Sequence, residues 1–156
     1  MLTRTGLSGF DRSTIHNIFI DEERGHAWLV GTNNGARIVD LADPVNPVEI
    51  GDFQARYIHD VYVKNGFAYF SEIFSGIHET VDATDVSNLQ ILASWATPTN
   101  FTHNSWTNED DTIIVTSDET APGGHMGVYD ISNKNVPPPL ISEYIPNPAS
   151  LVPTPP

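Results

Sequence analysis

The chain has 156 residues, enough for one domain with a real core. Acidic residues outnumber basic ones by 20 to 7, a formal net charge of −13, which argues against a nucleic-acid backbone or an anionic membrane surface as partner. Cysteine is absent, which excludes disulfides, thiolate zinc sites, iron–sulfur clusters and a cysteine nucleophile.

The opening residues, MLTRTGLSGF, hold no long apolar run, so no signal peptide is expected in them; no later stretch reaches transmembrane length. The first repeating unit then begins with STIHNIFID, containing His16. It continues through the turn DEERG, the run HAWLVGTN, a third run ending at Asp40 and a fourth, PVEIGDF. The second unit opens on RYIHDVYVK with His59, turns at KNG, and runs through FAYFSEIF to Asp82 and then LQILASW. The third opens on NFTHNSWTN with His103, turns at NEDD, and runs through TIIVTSDE to Asp130 and PLISEY. The three histidines are spaced by 43 and 44 residues.

Val, Ile, Tyr, Phe and Thr fill the runs, while Gly, Asn, Asp and Pro fill the gaps. No window sustains helical spacing of apolar residues. Four short strands repeated every 40–45 residues or so are the pattern of a propeller blade. The expected fold is all-β: a β-propeller segment of three four-stranded blades over about 13–53, 57–95 and 101–144. Residues 1–12 read as the end of a preceding blade, and 145–156 as a linker towards a next one. Closed propellers need about four to eight blades. The expected partners are therefore the remaining blades of a longer chain or a second copy, with end faces open to aggregation otherwise.

In such a fold the first strand of each blade lines the channel, and the second strand returns to the same end. His16, His59 and His103 are then expected on one rim, joined by Thr32, Asn33, Glu72, Asp118 and Glu119. Two readings of the histidines stand side by side. Either each bonds backbone at a blade junction, or His16, His59, His103, Asp118 and Glu119 hold a divalent metal, with Ca, Zn, Cu and Fe all open. Asn17, Asn33, Asp60, Glu72 and Trp106 form the expected binding rim, with Trp106 also read as packing between blades. His59 and Asp60 are adjacent strand residues pointing opposite ways, so no dyad is expected of them. His26 reads as a packing or surface residue, and His78 and His125 as surface residues near the mouth. No nucleophile elbow, phosphate loop, dinucleotide fingerprint or zinc-protease helix occurs.

The unit ends ARIVDLADPVNPVEIGDF and MGVYDISNKNVPPPLISEY resemble LVIVD repeats. The order HNIFIDEERGHAWLVGTN, YIHD, THNSWTNEDDTIIVTSDE resembles the choice-of-anchor B family of bacterial surface proteins, across about residues 13 to 145. His16, Asn17, His59, Asp60, His103, Trp106, Asp118 and Glu119 stand at the family's motif positions. The resemblance implies an extracellular or cell-surface propeller. The expected function is a non-enzymatic binding or scaffold module, with a cell-surface or small polar ligand as partner. The alternatives are a metal-dependent hydrolase or oxidase with a His ring at the channel mouth, and a calcium-stabilised structural propeller.

Overall fold

The computed structural model describes residues 15–32, 35–120 and 123–146; Asn33, the N-terminal residues to 14 and the residues from 147 on lie outside them. The described residues form twelve strands and no helix. They make three antiparallel sheets of four strands, each a meander in chain order: β1–β4 over Asn17–Phe53, β5–β8 over Asp60–Ala96 and β9–β12 over Thr102–Tyr144. The all-β expectation and its four strands per repeat match this chain.

Turn chemistry explains the hairpins. In the KNG turn, Asn65 and Gly66 have φ of 50° and 80°, the paired left-handed residues of a tight hairpin between β5 (Asp60–Lys64) and β6 (Phe67–Glu72). The longer turn after β9 (Thr102–Thr107) is held by Asn108, whose side-chain oxygen accepts from the Thr112 and Ile113 amides at 2.9 Å each. The repeated corner aspartates do the same work in every sheet. Asp40, Asp82 and Asp130 accept the amide two residues on, from Ala42, Thr84 and Ser132, at 2.8–2.9 Å.

Alternation along the strands gives each sheet two faces. The forward face of the first sheet (Trp28, Val30, Ala36, Ile38) packs on the rear face of the second (Val61, Val63, Ala68, Phe70, Val81) as one buried cluster. The second sheet repeats the move with Tyr62, Tyr69 and Trp95 against Ile114, Tyr129 and Ile131 of the third. Burying an aromatic or aliphatic side chain in such a seam contributes about 1.5–3 kcal/mol. The first strands of the sheets, β1, β5 and β9, adjoin one another, so their leading ends converge. The three sheets do not close on themselves.

Candidate functional site: a histidine rim on the first strands

The three recurring histidines meet. The rings of His16 and His59 are 4.3 Å apart between centroids, and those of His59 and His103 are 4.9 Å apart. His59 is therefore the central member. Two of the three enter their strands identically: the His16 amide donates to Val30 at 2.9 Å, and the His59 amide to Ser71 at 2.8 Å. The third arrives through a bulge. Opposite Ser117 and Asp118 the register steps from Asn104 to Thr102, leaving His103 without a partner in the ladder. Bulges re-aim side chains in this way beside functional sites.

Glycine makes room for the cluster. Gly31, at φ 72°, donates its amide to Ile58 at 2.6 Å, and a Cβ there would overlap the Cβ of His16. Strain and overlap act together, so Gly31→Ala is expected to lose about 2 kcal/mol or more of stability. Urea unfolding checks this, and an unchanged midpoint would contradict the close approach.

Glu119 completes a group with two of the histidines. One ligand atom each from His59, His103 and Glu119 all lie within 4.8 Å of one another. His103 Nε2 stands 3.8 Å from a Glu119 carboxylate oxygen. The Glu119 backbone is fixed by its amide, which donates to Phe101 at 3.0 Å. Burial, and then the neighbouring His16 and His103, hold the His59 imidazole below its ordinary value, which favours the neutral, ligating form. No imidazole of the three is hydrogen-bonded to backbone among the described residues. An open hollow of about 570 Å³ lies beside them, lined by His103, Asp118, Glu119, Thr120 and Gly124.

The other expected rim residues divide. Asn17 and Asp60 form a clasp between the first two sheets, Nδ2 of Asn17 donating to Asp60 at 2.8 Å. Asp60 makes no hydrogen bond to His59, in line with their opposite directions; its second donor is the Val61 amide at 2.7 Å. Asp118 lines the hollow, but its Oδ2 is taken by the Thr99 amide and hydroxyl at 2.6 and 2.8 Å. Its buried Oδ1 has no partner among the described residues. Thr32 is buried, its hydroxyl donating to Gly35 at 2.8 Å.

Glu72 does not offer its carboxylate to the imidazoles. It is buried, accepts from Ser75 at 2.8 Å and pairs with Arg56 at 2.8 Å, and Arg56 also binds Glu79 at 3.0 Å. Burial and the neighbouring Glu79 push the Glu72 carboxyl up to about 7. Trp106 stands three residues beyond His103, at the other end of β9. It packs on Tyr62 at 4.4 Å and Phe19 at 6.3 Å, as a contact between sheets.

One expectation is overturned. His78 is not at the surface but wholly buried, packed on Trp95 at 4.7 Å between ring centroids, with no hydrogen-bond partner on either ring nitrogen among the described residues. Its strand, β7 (Ile77–Asp82), is an interior strand of the sheet, and its side faces the third sheet. His125 does sit near the surface, 2.5 Å from Glu143, and His26 is half-buried at the start of β2.

Two aromatic neighbours of the rim escape a search for polar residues. Tyr57 lies 6.3 Å from the His59 ring and 5.1 Å from Phe74, which is 78% exposed. The signal was present in RYIH, where alternation puts Tyr57 on the same side as His59. No known family model matches this sequence, and no curated protein matches it either.

Proposed function

We propose that this chain is a β-propeller module that binds a divalent transition metal through His59, His103 and Glu119, with His16 packed against His59. The observation that carries this reading is the meeting of three sequence-distant imidazoles that make no hydrogen bond to backbone among the described residues. Histidines serving only as junction residues would spend their nitrogens on carbonyls.

Two imidazole nitrogens and one carboxylate suit zinc, copper or iron; calcium prefers a shell of oxygens. Metal–nitrogen bonds of about 2.0–2.1 Å require the three donors to draw together by roughly an ångström, within the reach of side-chain rotation. Exposed Phe74 and half-buried Tyr57 then offer an apolar wall beside the metal for a ligand with one metal-binding group. Propeller geometry is supported by the identical meanders and the adjoining first strands. Cell-surface placement rests on the resemblance to LVIVD repeats and the choice-of-anchor B family.

Binding a metal to the folded state alone raises its stability. At a hundredfold excess over Kd, Zn²⁺ is expected to raise Tm by about 5–10 °C. Scanning calorimetry with and without Zn²⁺ reads the shift. A Tm unmoved by Zn²⁺, Cu²⁺ and Fe²⁺ alike would remove the proposal.

A further inference from the structure

The two junctions inside the chain are built from equivalent positions, and the same positions recur largely exposed on the third sheet. Following the registers, Phe53, Trp95 and Tyr144 occupy one place in the three sheets, opposite Ala36, His78 and Met126. Phe53 is seated on Phe70 of the second sheet at 5.2 Å, and Trp95 on Tyr129 of the third at 5.9 Å. Tyr144 is 60% exposed. A second series, Phe19, Tyr62 and Trp106, lies three residues after each rim histidine. Phe19 and Tyr62 are at least partly covered, while Trp106 touches both along one side and is still 63% exposed.

Among the described residues, the forward face of the third sheet is therefore a junction face with no sheet packed against it. Asn104, Trp106, Val115, Met126, Val128 and Tyr144 lie on it, and none is charged in a chain of net charge −13. A matching rear face is found on the first sheet. Ile18 and Ile20 occupy the places of Val61 and Val63, which the first sheet buries at the internal junction. They are 54% and 44% exposed.

We infer that a second copy of this chain covers both faces, third sheet to first sheet in each direction. The contact joins two different faces, so it either closes or runs on into a filament. Continuing the internal junctions through two copies gives a ring of about six sheets, inside the range that closes. The inference rests on the propeller reading of the three sheets and not on the metal, so it is tested with chelator present.

The test is the native mass by light scattering in EDTA, for the full chain and for Tyr144→Glu and Ile18→Glu. Circular dichroism checks that each variant is folded; if Ile18→Glu is not, Ile18→Lys replaces it. The expected result is twice the chain mass for the parent and the single-chain mass for either variant. A 1:1 mixture of the two variants keeps one intact junction, so a partial return of the dimer is expected. A monomeric parent, an open series of larger species, or a dimer that survives Ile18→Glu would overturn the inference. A monomeric parent that still binds Zn²⁺ once chelator is removed would separate this failure from failure of the metal reading.

Discussion

Replacing His59 with Ala is expected to weaken Zn²⁺ binding about 100-fold or more, the largest loss of any single rim substitution. His59 is the member that touches both other imidazoles and belongs to the three-residue ligand group. Removing a residue that only orients a metal ligand already costs about 10–100-fold, and a ligand itself costs at least that. His103→Ala is expected to follow closely, since its Nε2 faces Glu119 at 3.8 Å. His16→Ala should lose less, because His16 lies outside the mutual group and acts by packing on the His59 ring. Acid acts in the same direction as the substitutions, since protonated imidazole cannot ligate. His59 is held below the ordinary 6.5, so it stays neutral and competent to lower pH than an unperturbed histidine. Competition titrations against a chromogenic chelator give the order, and equal affinities for all three variants would contradict the assignment.

The second large effect concerns His78, away from the rim. Burial holds its imidazole down to about 3, against an ordinary value of 6.5. Above pH 6.5 the folded and unfolded chains bind the same number of protons at this group. As pH falls from 6.5 towards 3, the unfolded chain takes up a proton that the folded chain refuses, so stability is lost. Integrated over that window the loss is on the order of 4 kcal/mol. Two buried ring nitrogens without partners among the described residues add a cost at neutral pH as well, about 1–3 kcal/mol. His78→Phe keeps the ring against Trp95 and removes both costs. The variant is expected to be more stable than its parent at pH 7, with the gap widening down to pH 4. Glu72 titrates the opposite way: its carboxyl is raised to about 7, so its contribution grows as pH falls from 7 towards 4.5. Comparing variant with parent at each pH cancels that slope, because the Glu72 term is common to both. A gap that stays constant between pH 7 and pH 4 would mean His78 can be protonated in the folded chain.

Much of the architecture was legible because the repeat copies both strands and corners. The spacing of His16, His59 and His103 carried the three-sheet division, and the Asp40, Asp82 and Asp130 corners marked where each third strand ends. The convergence of the histidines was legible for the same reason, since equal positions in equal meanders fall at equal ends. Directions of side chains were less so. Glu72 ends β6 as expected, yet alternation with Ala68 and Phe70 turns it to the face that meets the first sheet, where Arg56 claims it. Nothing local to Glu72 announces Arg56, which lies on the link between β4 and β5. His78 misled because a histidine beside a glycine link reads as a surface residue, whereas its cross-strand partner is Trp95. Position along the strand decided Trp106: three residues carry it about 10 Å from His103, to the other end of β9.

The central claim is that the rim holds one metal ion per chain through His59, His103 and Glu119. Equilibrium dialysis against Zn²⁺ at neutral pH, followed by elemental analysis, tests it most directly. One zinc per chain in the parent and none in the His59→Ala, His103→Ala double variant is the predicted result. No zinc in the parent, or undiminished zinc in the folded double variant, would contradict it.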